Sequence, residues 1–121
     1  MNNIGYIQFQ PTLGDIEANI EKIESLLPSA EKADLVVLPE LANSGYNFAT
    51  REDALKCSEE ISKSRFIEYL ISRAAKQNQY IVAGLNERVG EELFNTPVIV
   101  GPKGYMGKYQ FSKSTLRGLG Y

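Results

Sequence analysis

Apolar residues recur along this chain with two different periods, which predict a first strand and two amphipathic helices. Asn3 to Gln10 is rich in Ile, Tyr and Phe and stops at Pro11, which lacks a backbone donor, so we expect a strand here. From Asp15 the apolar positions are three to four residues apart, as on one face of a helix, and Pro28 should kink or restart that helix. These positions are Ile16, Ile20, Ile23, Leu26, Leu27 and Ala30. Ser64 can cap a second helix, whose apolar face comprises Phe66, Ile67, Leu70, Ile71, Ala74 and Ala75.

The middle of the chain has a polar segment immediately after a buried strand. Leu35 to Leu38 is a continuous apolar run, LVVL, which is typical of a strand covered on both faces, and Pro39 closes it. Glu40 therefore follows the carboxyl end of that strand. Leu41 to Thr50 has the composition of a loop, and a short polar helix is predicted around Glu52 to Glu60.

The last part of the chain has the pattern of a strand meander. Strands near Tyr80 to Asn86 and Leu93 to Val100 are joined as a hairpin through Val89-Gly90-Glu91. A third strand begins at Tyr105, after the turn Pro102-Lys103-Gly104. The order of strands and helices predicts an α/β fold, a mixed sheet with two main helices on one face. The opposite face needs another sheet, another chain or further sequence to cover its apolar residues.

Composition and charge narrow the functions that this chain can have. Its 121 residues are 43% apolar and 23% charged, as in one globular domain. The formal net charge of -2 gives no attraction to nucleic acid or to an anionic membrane, so neither is expected as a partner. Histidine is absent from the sequence, which excludes Ser-His-Asp catalysis, Cys-His catalysis and histidine metal sites within it. A single cysteine and the lack of a signal-like apolar segment favour a cytoplasmic location.

Glu40 is the strongest candidate for a catalytic residue, because open α/β folds place their ligands at the carboxyl ends of strands. A carboxylate in this position can act as a general base. Its position alone, however, favours a salt bridge or a cap of the next turn.

The residues around Glu40 favour the catalytic role over the structural one. Ala33 to Tyr46, ADLVVLPELANSGY, closely resembles the signature of the nitrilase superfamily, the carbon-nitrogen hydrolases: a strand, Pro-Glu, and a loop with Gly-Tyr. The resemblance extends back to IGYIQFQPTLGDIEANIEKI, with Gln8 and Asn19, and forward to IVAGLNER, NTPVIVGPKG and YMGKY. We therefore interpret residues 1–109 as the N-terminal part of a carbon-nitrogen hydrolase domain and residues 110–121 as a divergent tail.

This resemblance implies a fold, a reaction and a role for Glu40. The family fold is an α-β-β-α sandwich, of which this chain would form the first half. Family members hydrolyse small amides or nitriles with a Glu, a Lys and a Cys, and Glu40 stands in the place of the general base. A base is needed because a thiol is a modest nucleophile at neutral pH until it loses its proton. Nothing in the sequence calls for a cofactor or a metal. Members of the family often form dimers or larger assemblies, so a homo-oligomer is expected.

The catalytic lysine is where the sequence departs from the family pattern, Gly-Lys-Tyr-Arg-Lys-x-His-Leu. The chain has GKYQFSKSTL at Gly107 to Leu116. An alignment without gaps puts Phe111 at the catalytic position, whereas a two-residue insertion brings Lys113 there. Lys108 matches the preceding, non-catalytic lysine of the pattern. We expect Lys113 as the candidate, although the disturbed context favours a solvated loop lysine for both Lys108 and Lys113.

The nucleophilic cysteine of the family lies further along the chain than these 121 residues reach. Cys57 is not expected to replace it, because its charged helical surroundings beside Glu59 and Glu60 should raise the pKa of its thiol. We interpret Cys57 as a structural cysteine, half-buried or at the surface. The tail, Gln110 to Tyr121, suggests the hypothesis of a frameshift: codons for Phe111 to Tyr121 can be chosen so that a neighbouring frame encodes Gln-Lys-Val-His-Phe.

Three hypotheses follow from these observations. The first is a carbon-nitrogen hydrolase truncated before its nucleophile and inactive alone. The second is a non-catalytic fragment or pseudoenzyme that acts by self-association or partner binding through the uncovered sheet face. The third, a small ligand-binding α/β domain of unrelated function, is disfavoured by the length of the resemblance.

Overall fold

The first five strands of the sheet lie side by side in the order in which they occur in the sequence. The computed structural model describes residues 2–109 and the backbone of residues 112–114. The strands are β1 (Ile4–Tyr6), β2 (Leu35–Val37), β3 (Tyr80–Val89), β4 (Glu92–Gly101), β5 (Gly104–Lys108) and β6 (Ser112–Ser114), and the helices are α1 (Ile16–Leu26), α2 (Arg51–Lys56) and α3 (Arg65–Gln77). β1, β2 and β3 are parallel, whereas β3, β4 and β5 are antiparallel. β6 pairs with the first half of β4 and β5 with its second half.

Both main helices begin where the sequence predicts. The Asp15 carboxylate accepts a hydrogen bond from the Ala18 N–H at 2.9 Å, and the Ser64 hydroxyl accepts one from the Ile67 N–H at 3.0 Å. Such caps satisfy backbone donors that the first turn of a helix leaves unpaired. Pro28 lies in a short 3-10 turn, Leu27–Ala30, that follows α1, so the predicted interruption is confirmed.

Three local predictions need correction. The first strand is shorter than predicted, and the strand β6 was not predicted at all. The short polar helix ends at Lys56, because the backbone of Glu59 leaves the helical path and joins β3. The Glu59 N–H donates to the Asn86 carbonyl at 3.0 Å, and the Arg88 N–H donates to the Glu59 carbonyl at 2.8 Å. These two sheet-type bonds compete with continuation of the helix and replace it.

The core lies between one face of the sheet and the helices α1 and α3, as the predicted α/β fold requires. Alternate residues of β3 point to this face, and their antiparallel partners in β4 do the same. Its buried residues include Ile20, Ile23, Leu27, Phe66, Leu70, Ile81, Ala83, Leu85, Val98 and Val100. The prediction of a mixed sheet with two main helices on one face is confirmed.

The opposite face of the sheet carries apolar side chains that are open to solvent. Ile4 and Tyr80 flank Leu35 in one row across the parallel strands, and Tyr6 lies in the row of Val37 and Val82. Ile4 is 72% exposed and Tyr6 is 65% exposed. In the part of the chain that the structure describes, no helix combines the length and apolar character needed to cross a membrane.

Candidate active site

The backbone of Glu40 is held against the middle of β3. The Gly84 N–H donates to the Pro39 carbonyl at 3.1 Å, and the Ala42 N–H donates to the Gly84 carbonyl at 2.8 Å. Leu41, between them, has a φ of 48°, a left-handed conformation that non-glycine residues rarely adopt. The chain turns sharply directly after Glu40, and both sides of that turn are bonded to the same residue of β3.

Gly84 permits this close approach because it has no side chain. A Cβ atom at position 84 would lie 2.6 Å from the Glu40 Cα and 2.7 Å from the Leu41 nitrogen. These separations are far below van der Waals contact, so any larger residue would push the Glu40 segment away from β3. A glycine inside a strand is the sequence signal for such an approach, and the role of Gly84 was missed.

The side chain of Glu40 is exposed and is oriented by β4. The Asn95 Nδ2 donates a hydrogen bond to the Glu40 Oε1 at 2.8 Å. Asn95 lies in the segment NTPVIVGPKG, but the sequence does not indicate which of its residues reaches Glu40. Glu40 is thus fixed through its backbone by β3 and through its carboxylate by β4.

Glu40 lines a cleft of about 940 Å³. The cleft lies beyond the carboxyl ends of β1 and β2, where parallel strands commonly present ligand sites. Its walls are Tyr6, Gln8, Phe9, Gln10, Pro11, Thr12, Leu13, Lys22, Leu38, Pro39, Glu40, Gly45, Tyr46 and Asn47. These side chains mix aromatic surface with amide and hydroxyl groups, which suits a small polar substrate.

Two buried asparagines tie the walls of the cleft together. The Asn19 Nδ2 donates to the carbonyls of Thr12 and Asn43, at 3.0 and 2.9 Å, and its Oδ1 accepts from the Thr12 N–H at 2.6 Å. The Asn43 Oδ1 accepts from the Asn86 N–H at 2.9 Å, and its Nδ2 donates to the buried carboxylate of Glu59 at 3.1 Å. The loops after β1 and β2 therefore keep a fixed spacing on either side of the cleft.

Comparison with known proteins connects this geometry to a family. The family described as carbon-nitrogen hydrolase matches residues 3–116 of the chain. The chain belongs to the carbon-nitrogen hydrolase family. It is 40% identical over 112 residues to a nitrilase of Pyrococcus abyssi, covering 91% of this chain and 43% of that protein.

Further carbon-nitrogen hydrolases agree with this assignment. The protein N-terminal amidase of Saccharomyces cerevisiae is 29% identical over 105 residues, covering 81% of this chain and 23% of the yeast protein. The crystal structure of an N-terminal amidase superposes with a TM-score of 0.81 at 26% identity, covering 90% of this chain and 27% of that one. The chain therefore spans less than half the length of these relatives.

Lys108 is not the solvated loop lysine that the sequence suggests. It lies at the end of β5, and its Nζ forms an ion pair with the Glu87 Oε2 at 2.6 Å. The Thr96 hydroxyl donates to the other oxygen of Glu87 at 2.7 Å. Glu87 is almost fully buried, and buried carboxylates require such partners, so Lys108 joins β5 to β3.

The structure describes Lys113 only through its backbone. In the pairing of β6 with β4, Lys113 lies opposite Phe94, and Ser112 lies opposite Asn95. The side chain of Lys113 lies outside the described residues, as do Phe111 and most of the tail, 110–121. The catalytic role of Lys113 and the frameshift hypothesis therefore stay predictions.

Cys57 is the C-terminal cap of α2 and does not line the cleft. Its Sγ lies 3.9 Å from the Gly14 carbonyl oxygen. Burial is the main cause that raises the pKa of the Cys57 thiol, and the nearby Asp53 carboxylate raises it further, against a smaller opposing effect of Lys56. The expected direction is confirmed, but Asp53 is the acidic neighbour responsible, rather than Glu59 or Glu60.

Alkylation of Cys57 by iodoacetamide at pH 8 is expected to be slower in the folded chain than in the same chain in denaturant. The thiolate is the reactive form, and a raised pKa leaves less of it at a given pH. Asp53→Asn should accelerate the reaction, whereas Glu52→Gln should change it less. Labelling followed by mass spectrometry measures these rates, and a native rate above the denatured rate would contradict the assignment.

The described residues hold no group of three or more Cys, Asp or Glu side chains that could bind a metal ion.

Proposed function

We propose that this chain supplies the general base, Glu40, of an enzyme that hydrolyses a carbon-nitrogen bond in a small amide or nitrile. The observation that carries the proposal is that Glu40 lines the cleft and that Asn95 holds its carboxylate through a 2.8 Å hydrogen bond. Membership of the carbon-nitrogen hydrolase family supports the reaction class. The names of two relatives, a nitrilase and a protein N-terminal amidase, support the substrate class.

Glu40 is assigned the proton transfers of a mechanism in which a thiol is the nucleophile. As the sulfur of a cysteine bonds to the carbonyl carbon of an amide substrate, its proton passes to a Glu40 oxygen. That proton then leaves with the departing amine, and a thioester remains on the sulfur. Glu40 next takes a proton from water as the water oxygen bonds to the thioester carbon. The carbon-sulfur bond then breaks, the acid product leaves, and Glu40 returns the proton to the sulfur.

The other two groups of this mechanism have different origins in the proposal. We assign Lys113 the role of placing positive charge near the developing oxyanion. Cys57 lies outside the cleft and has a raised pKa, so the nucleophilic cysteine comes from polypeptide other than residues 1–121. The 121 residues alone are therefore proposed to be inactive.

A second candidate function is favoured by the exposed apolar face of the sheet. Ile4, Tyr6, Tyr80 and Met106 are large apolar side chains that remain open to solvent. Such a surface promotes association, and a chain without a nucleophile could act as a non-catalytic partner or self-associating fragment. Homo-oligomer formation is part of both candidates.

The proposal is tested on protein isolated from its native source. Intact mass is measured first, and hydrolysis of a panel of small amides and nitriles is then followed by release of ammonia or amine. Turnover by a polypeptide that contains residues 1–121 and a further cysteine would support the hydrolase. A native mass of the 121 residues, with no turnover and with stable self-association, would support the second candidate instead.

A further inference from the structure

We propose that Asn95 is a positioning residue, which holds the Glu40 carboxylate in the orientation needed for proton transfer. This inference rests on the proposed role of Glu40 as the general base. It adds a residue on β4 whose side chain bonds directly to that base, through the 2.8 Å hydrogen bond from the Asn95 Nδ2 to the Glu40 Oε1.

The Glu40 side chain needs such a partner because it is exposed. Its backbone is fixed at Gly84, but a glutamate side chain has three rotatable bonds beyond the backbone, and solvent does not restrict them. A hydrogen bond from a rigid neighbour selects one arrangement. Displacement of a catalytic group by about 1 Å can lower a rate by about 10²-fold.

Asn95 is a rigid neighbour because it lies within the longest ladder of the sheet. It is paired with Asn86 in β3, and eight further pairs of residues extend this ladder from Ile81 to Val89. Gly84, which fixes the Glu40 backbone, lies two residues before Asn86 on the same strand. The two attachments of Glu40 are therefore neighbours in one hairpin, and they cannot shift independently.

The chemistry of the amide fits this task. A side-chain amide nitrogen donates hydrogen bonds and does not accept a proton at neutral pH, so Asn95 orients the carboxylate without competing for the thiol proton. The bond is made to Oε1, which leaves Oε2 as the oxygen that accepts the proton. Asn95 also lies opposite Ser112 in β6, next to Lys113 in the chain, so one position of β4 connects both proposed catalytic segments.

The contact is tested by NMR on the 121-residue chain. The side-chain amide resonances of Asn95 should shift as pH falls and Glu40 is protonated, and Glu40→Gln should abolish that shift. The matched control is Glu91→Gln, an exposed glutamate in the hairpin turn, which should leave the shift in place. An unchanged shift in Glu40→Gln would overturn the proposal.

The effect on catalysis is measured on the polypeptide that shows turnover. Asn95→Ala and the isosteric Asn95→Asp should each lower kcat by about 10- to 100-fold, with little change of KM, because both remove the donor. Asn3→Ala, which removes an exposed amide outside the cleft, controls for loss of a surface side chain. A kcat within about twofold of the unmodified enzyme in both Asn95 variants would overturn the inference while leaving Glu40 as the base, given the size expected for misplacement.

If no polypeptide shows turnover that depends on Glu40, this result would count against the proposed function instead. The resonance measurement would still decide whether Asn95 binds Glu40, because it needs no substrate.

Discussion

Glu40→Gln is expected to lower kcat by about 10²- to 10⁴-fold in the polypeptide that shows amide or nitrile hydrolysis, because it removes the general base. The KM should change little, since the substitution keeps the size and shape of the side chain. The amide oxygen of the substituted side chain can still accept the hydrogen bond from the Asn95 Nδ2, so the local structure should persist. Initial rates across a range of substrate concentrations measure both constants.

The control for this substitution is Glu91→Gln, which makes the same chemical change at an exposed residue of the β3–β4 turn. Circular dichroism and thermal unfolding of both variants should match the unmodified protein. Retention of more than about half of kcat in Glu40→Gln would show that Glu40 is not the base, given the size of general-base contributions.

Gly84→Ala is expected to destabilise the fold by about 3 kcal/mol, since overpacking of a dense interior costs this much when backbone must move. The added Cβ would lie 2.6 Å from the Glu40 Cα and 2.7 Å from the Leu41 nitrogen. Neither atom belongs to a flexible side chain, so β3 and the Glu40 segment must separate. The two hydrogen bonds that join Gly84 to Pro39 and Ala42 would weaken together.

The matched control is Gly90→Ala, at a glycine with nothing within 4 Å of the added Cβ and with a φ of 63°. Gly90→Ala should lower the free energy of unfolding by about 1 kcal/mol, because only the left-handed backbone is unfavourable for alanine there. Urea unfolding of both variants, with the midpoint and slope compared, measures the difference. A smaller loss in Gly84→Ala than in Gly90→Ala would contradict the close approach described for Glu40.

The starts of α1 and α3 were predictable because the forces that set them act over a few residues. Asp15 and Ser64 cap helices whose apolar spacing is visible in the sequence, and both caps bond to the backbone three residues ahead. The polar helix after Thr50 was predicted too long because its end is not set locally. It depends on Glu59 joining β3, through a bridge to Glu87 far along the chain.

The family and the position of Glu40 could be recognised from the sequence, since both rest on a continuous motif. The contacts of Glu40 could not, because they depend on strand register. Asn95 is 55 residues from Glu40 along the chain and reaches it only when β3 and β4 pair as observed. The partner of Lys108 could not be predicted for the same reason. The sequence predicts a solvated lysine, and only the register of β3, β4 and β5 brings Lys108 to Glu87.

The α/β class, the two capped helices, the strand that ends before Glu40 and the family of the chain all follow from the sequence alone. The way in which Glu40 is held depends on tertiary contacts, with Gly84 along its backbone and with Asn95 at its carboxylate. Periodicity and capping involve residues that are close together in the sequence, so the sequence pattern indicates them. Side-chain partners across a sheet are set by register, and a shift of one residue would turn each of them to the other face.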